Sequence, residues 1–318
     1  DNHYASLHQS GGTIATQYTG ADDNAIDTFV GGQGSLRAEI YLDGGTFDFH
    51  NRRFGIGSWN ANVKGLATLT VDGAADTKFC YLVLGSRCQN GAKDAVGTSV
   101  FNLNGGRVTL GKGFADYGNT DVTKVINLNG GTLNLPASYA FGGYPVVVYP
   151  RGATIEVNTS VSIRANIRSA TGWGVKEINL TNAGSGYLTA PAVTITGGSG
   201  SKATGYAVLA KDRTIEKIVV TCPGEGYLED DVLTVEIASS TGSGAAATVV
   251  LAENTKPTLR FTGGNVKVVE TTAFDGCIQV NGGALQMDVD GLPNATVRLG
   301  DGAAIDAPKA SVATASVS

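Results

Sequence analysis

Between Val125 and Leu135 the chain reads VINLNGGTLNL. Apolar residues take every second position, two glycines interrupt, and the alternation resumes. Period-two alternation is the signature of a β-strand with one buried face. It puts Ile126, Leu128, Leu133 and Leu135 on that face. The same design, apolar-x-Gly-Gly-x-apolar, recurs at Gly44-Gly45 (YLDGGTFDF), Gly105-Gly106 (FNLNGGRVTL), Gly263-Gly264 (RFTGGNVKV) and Gly282-Gly283 (QVNGGALQM). A reduced copy lies at Gly11-Gly12, and Leu69-Thr-Val-Asp-Gly73 is a single-glycine variant. Glycine turns the chain sharply because positive φ costs it nothing sterically.

A second motif interleaves with the first: Phe54-Gly-Ile-Gly-Ser58, Leu82-Val-Leu-Gly-Ser86 and Val108-Thr-Leu-Gly-Lys112. Its glycines at 57, 85 and 111 imply two alternating bends and a composite period in the high twenties. Two architectures fit a Gly-Gly bend. A hairpin would place Leu128 opposite Leu133. A parallel β-helix, in which each coil stacks on the one before, accounts for both motifs and their alternation. The expected fold is therefore all-β, a parallel β-helix.

The pattern stops between residues 174 and 253, and a different repeat begins. Ile178-Asn-Leu-Thr-Asn-Ala-Gly-Ser-Gly-Tyr-Leu188 matches Ile218-Val-Val-Thr-Cys-Pro-Gly-Glu-Gly-Tyr-Leu228 at an offset of 40. GGSGSKATGYAVLA is echoed by STGSGAAATVVLA at an offset near 42. The expected organisation is β-helix over 1–173, an inserted pair of small β modules over 174–253, and β-helix continuation with a low-complexity tail over 254–318.

GIGS…ATLTVDGA, VLGS…SVFNLNGGRV and TLGK…KVINLNGGTLNL resemble the autotransporter-associated β-strand repeats of autotransporter-type passenger domains. The resemblance spans about residues 40–135, and more weakly 255–290. It implies a right-handed parallel β-helix displayed at, or released from, a bacterial surface, and it carries no catalytic signature. The tandem units resemble GSGY modules of bacterial surface and phage structural proteins. A translocator barrel, expected from the passenger resemblance, is replaced here by KASVATASVS, and no secretory leader opens the sequence. The expectation is a mature chain, with the barrel removed or a different export route.

Composition supports strands and turns. Glycine supplies 45 of 318 residues, charged residues are 16%, and there is one Met; that glycine share is about twice the usual one. A net charge of −5, with no basic cluster denser than Arg52-Arg53, argues against a nucleic-acid partner. No apolar run approaches the ~18 residues of a membrane span. Cys80 and Cys88 are close enough in sequence to bridge, Cys222 and Cys277 are isolated, and none sits in a CxxC pair.

Candidate chemistry is sparse. The carboxylate pairs Asp43/Asp48, Asp72/Asp76, Asp116/Asp121 and Asp230/Asp231 are the candidates for glycosidase work. Their positions beside glycine turns favour local turn hydrogen bonds instead. Asp48, His50, Arg52 and Arg53 in FDFHNRRF make the densest polar patch, and a His beside a carboxylate can act as acid or base. Asp22-Asp23-Asn24 with Asp27 offers oxygen ligands without the spacing of a calcium loop. His3 and His8 sit near a terminus and are expected to be mobile. Tyr187 and Tyr227 are candidate sugar-stacking platforms; the reading preferred from sequence has each ring covering its own module's core.

No catalytic, cofactor-binding or metal-ligating residue is assigned. The expected function is that of a non-enzymatic extracellular structural or adhesive protein, partnering itself (head-to-tail or laterally) or surface glycans. A polysaccharide-degrading enzyme on the same scaffold and a phage tail-spike or fibre component are the alternatives.

Overall fold

The computed structural model describes residues 3–16, 26–30, 36–57, 65–85, 97–115, 122–136, 138–287, 291–300, 302–306 and 314–317. The described residues form twenty-five β-strands and no helix. The chain divides into two compact units, Ala170–Thr255 and the remainder, Asp1–Ser169 with Lys256–Ser318.

In the larger unit nineteen strands join one sheet system, and every pairing is parallel. The hairpin reading of the Gly-Gly bend fails here. Leu128 pairs with Leu103 and Val148, and Leu133 pairs with Val108 and Ile155. Each Gly-Gly is a corner, and successive passes of the chain lie side by side in register. One row of neighbours runs Thr13, Thr46, Asp76, Arg107, Thr132 and Thr154, and continues through Arg260, Gln279, Arg298 and Ser316. Thr154 and Arg260 are direct neighbours although the whole smaller unit lies between them in sequence.

That row also corrects the expected single period. Spacings fall from 33 residues (Thr13 to Thr46) to 25 (Arg107 to Thr132) and 18 (Arg298 to Ser316). The core does not require equal passes. It requires equal inward strands, and the connections between strands absorb the difference. The inward rows are nearly pure hydrocarbon: Leu42, Val71, Leu103, Leu128 and Val148 in one, and Phe47, Val108, Leu133, Ile155 and Phe261 in another. Each contributes about 1.5–3 kcal/mol from burial. Thr77 interrupts the second row fully buried, and its hydroxyl donates to the Arg107 carbonyl at 3.1 Å.

The corner glycines stack as a column. A Cβ on Gly131 would lie 2.5 Å from the Gly105 carbonyl oxygen, and one on Gly45 would lie 2.4 Å from that of Gly12. Both residues also hold positive φ, 69° and 75°. The second motif is only partly a column. Gly57 and Gly85 do stack, since a Cβ on Gly57 would sit 2.7 Å from the Gly85 oxygen. Gly111 does not join them. Val108-Thr-Leu110 pairs with Thr77–Phe79, at the start of the strand whose end carries Leu82-Val-Leu84, and Gly111 falls at a bulge opposite Cys80.

The smaller unit is one six-stranded antiparallel sheet in the order Leu233–Ala238, Ala192–Gly197, Thr204–Leu209, Ile215–Cys222, Trp173–Ser185, Ser243–Glu253. Strands of the two sequence repeats are interleaved in that order, so the expected pair of separate modules is instead a single interlaced one. Tyr187 and Tyr227 are both buried in one core shared by the two repeats. Tyr187 packs against Gly242 of the second repeat and Tyr227 against Gly200 of the first.

Candidate functional site

Strand Leu36–Ile56 carries two more residues than strand Asp76–Leu84 between the pairs Phe49–Phe79 and Arg53–Tyr81. A bulge of this kind bends a strand and re-aims side chains, and here it leaves His50 exposed between the buried Phe49 and Arg52. His50 Nδ1 lies 2.5 Å from Asp48 Oδ1, and the His50 backbone N–H donates to the same oxygen at 3.0 Å. Lys78 Nζ stands 3.8 Å from both Asp48 and Asp76. Burial raises the Asp48 pKa, but the two hydrogen bonds from His50 and the His50 and Lys78 charges outweigh it. The carboxyl is left below its ordinary value. An ionised acceptor at Nδ1 fixes the proton there and leaves Nε2 as the basic atom of a ring that is 57% exposed.

The rest of the patch goes elsewhere. Arg52 is buried. Arg53 lies 5.1 Å from the centre of the Tyr81 ring, with Lys112 Nζ at 5.8 Å from the same ring. Cations over a ring occupy the faces a sugar would stack on. The structure therefore brings Asp48 and His50 into direct contact, while Arg52 is buried and Arg53 lies over Tyr81.

The other sequence candidates are held by local partners. His8 lies in strand His3–Ala15 opposite Tyr41, and its Nε2 is 3.0 Å from Asp43, so a terminal position does not leave it without structure. Asp72 accepts from the Gly73 N–H at 2.8 Å and from the Tyr41 hydroxyl at 3.2 Å. Asp231 Oδ2 accepts from the N–H groups of Leu228 and Ser199 (each 2.9 Å) and from the Ser199 hydroxyl (2.7 Å). These bonds lower its pKa. Asp43 and Asp48 have different histidine partners and form no common site. Asp116, Asp121, Asp22, Asp23, Asn24 and Cys88, with the side chains of Asp27 and His3, lie outside the described residues. Cys80 and Cys222 are buried, while Cys277 is a half-buried free thiol whose pKa burial raises. No group of three metal-ligating side chains occurs among the described residues.

Two polar clusters escaped the sequence reading. Asn102 Nδ2 donates to Thr70 Oγ1 (3.1 Å), and Asn127 Nδ2 donates to Asn102 Oδ1 (2.8 Å), all three side chains buried. They occupy the middle position of L-T-V, F-N-L and I-N-L, the strands leading into three successive corners. Aligning the repeats on that position would have exposed the ladder. On the outer face, Arg107 forms a bidentate pair with Glu156, and Asn134 Nδ2 donates to Glu156 Oε2 at 2.8 Å. The Arg107 hydrogen bond lowers the Glu156 pKa against a smaller opposing effect of burial, and Asn134 adds to the lowering. With Asp48, Lys78 and Asp76 these make charges of opposite sign neighbours in successive passes.

The chemistry available is thus a carboxylate–imidazole dyad at a strand bulge, with His50 exposed to solvent. No family model, curated protein or solved structure matches this chain.

Proposed function

We propose that this protein is a non-enzymatic scaffold: a right-handed parallel β-helix acting as a structural or adhesive element outside a bacterial cell. Its partners are further copies of itself or surface glycans. The observation that carries the reading is the unbroken parallel register from Thr13 to Ser316, maintained across an 86-residue insertion. A chain that keeps its stacking through such an interruption is built for length, since each pass needs only its neighbours to bury its apolar face. The polar side chains on that stack serve it in turn. Arg107, Asn134 and Glu156 tie successive passes together, as do Thr70, Asn102 and Asn127.

The Asp48–His50 dyad is what favours the second reading, a polysaccharide-degrading enzyme. Glycoside hydrolysis needs a carboxyl group whose pKa is raised so that it can act as general acid, whereas the Asp48 carboxyl is held below its ordinary value. Electron microscopy of the purified protein, with an assay for reducing ends released from acidic and neutral polysaccharides, separates the two. Elongated particles without released ends are expected. Turnover abolished by His50→Ala overturns the scaffold reading.

A further inference from the structure

The two repeats of the smaller unit are related by more than sequence. Ile178 and Ile218, counterparts at the offset of 40, are paired with each other. Ile195 and Val235, also counterparts, are paired with each other in the adjoining strands. A pair formed by equivalent residues lies on a two-fold axis. The ladders of Thr204–Leu209 with Ile215–Cys222 and of Ser243–Glu253 with Trp173–Ser185 are related by the same operation. Ala207 pairs with Ile218 as Val249 pairs with Ile178, and Leu209 pairs with Ile215 as Leu251 pairs with Val175. Even the two register shifts coincide: the break between Thr204 and Gly205 answers the one between Leu180 and Asn182, and that at Val208/Leu209 answers that at Val175/Glu177.

The turns follow the same rule. A Cβ on Gly184 would meet the Ala245 nitrogen and Ser243 oxygen at 2.6 Å, and one on Gly224 would meet the Ala203 nitrogen and Ser201 oxygen at 2.6 Å. The Ala245 N–H donates to the Tyr187 hydroxyl at 3.3 Å, and the Tyr227 hydroxyl bonds the backbone of Ala203. Each repeat therefore buries its tyrosine in the other and borrows the other's strands. The surface between them is isologous, the kind that joins identical subunits in a two-fold dimer.

From this geometry we infer that each repeat recognises any second copy of itself, so that two chains of this protein can join by exchanging repeats. The covalent link is the short turn Ala210–Thr214 between strands Thr204–Leu209 and Ile215–Cys222. Within it Arg213 is held at φ 66°, a region that disfavours side chains with a Cβ. Opening that turn releases Arg213 and carries everything from Ile215 onward to the partner. Every strand pair that joins the two repeats, and both tyrosine contacts, are then remade between chains, while the pairing of Ala192–Gly197 with Thr204–Leu209 stays within the first repeat. The inference does not depend on the proposed scaffold role.

The full-length chain lacking Ala210–Thr214 tests it. The deletion bonds Leu209 directly to Ile215, its own antiparallel partner, so that pair can form only between chains. Light scattering should give twice the chain mass, and Trp173–Glu253 should resist protease. A monomer, or a digested sheet, overturns the inference. Two differently tagged copies of the unaltered chain supply the second measurement. Co-capture should appear after they are unfolded and refolded together, rise with chain concentration, and be absent when native chains are only mixed. End-to-end association would give co-capture on mixing without that dependence on refolding. No co-capture after refolding at any concentration also overturns the inference.

Discussion

Gly131 sits directly on Gly105, with 2.5 Å between the place a Cβ would occupy and the Gly105 carbonyl oxygen. The contact is backbone against backbone, so no side chain can yield to relieve it. Positive φ at Gly131 adds a penalty of its own for any other residue. Gly131→Ala should lower stability by about 1–3 kcal/mol. Gly143→Ala is the matched control, since nothing lies within 4 Å of its added Cβ, and it should change stability by less than about 0.5 kcal/mol. Chemical denaturation of both variants checks the difference, and equal losses would discard the stacked-corner account.

Asn102 is both acceptor and donor within a buried ladder. Asn102→Ala removes the acceptor for Asn127 and the donor to Thr70 while opening a small void. The expected cost is about 1–3 kcal/mol. A double-mutant cycle with Asn127→Ala should show a non-additive term, because one hydrogen bond would otherwise be counted twice.

Acid should weaken the protein through Glu156 and Asp48. Both carboxyls have folded pKa values below their ordinary ones. Groups of this kind stabilise fully above the unfolded pKa, and the contribution disappears as pH falls through the folded value. Glu156 and Arg107 are partly exposed, so the pair is solvent-screened and worth about 0.5–1 kcal/mol. Arg107→Ala should lower the melting temperature at pH 7, and the gap to the unaltered protein should close as Glu156 protonates. A gap that widens in acid would contradict the assignment.

The tyrosines of the interlaced unit should behave alike. Tyr187→Phe and Tyr227→Phe each remove a hydroxyl bonded to the backbone of the other repeat, at a cost of about 1 kcal/mol. Unequal losses of 2 kcal/mol or more would show that the two-fold relation is not energetic.

His50→Ala should leave stability within about 0.5 kcal/mol, as exposed side chains do. A proton-coupled role for the dyad would appear instead as a change in a pH profile without any change in melting temperature.

How far these features could be read from the sequence depended on range. The Gly-Gly corners were visible because they combine local alternation with a residue that alone accepts positive φ. His8 looked loose because of its sequence position, yet strand pairing and Asp43 hold it. Gly111 was placed with Gly57 and Gly85 because its local text matches theirs. Register is decided by pairing, and pairing sets Leu110 beside Phe79. The repeat around Tyr187 and Tyr227 was equally plain, but its text is the same whether a tyrosine packs on its own repeat or on the other.

By itself, the sequence determined that this is a strand-and-corner protein with a duplicated insertion. Alternation and glycine placement are local consequences of side-chain direction and backbone sterics. Only the tertiary structure decided that the corners join parallel passes, that the passes shorten from 33 to 18 residues, and that the two repeats trade strands. Those outcomes depend on which apolar surfaces meet across tens of residues, and a sequence pattern with several compatible partners does not choose among them.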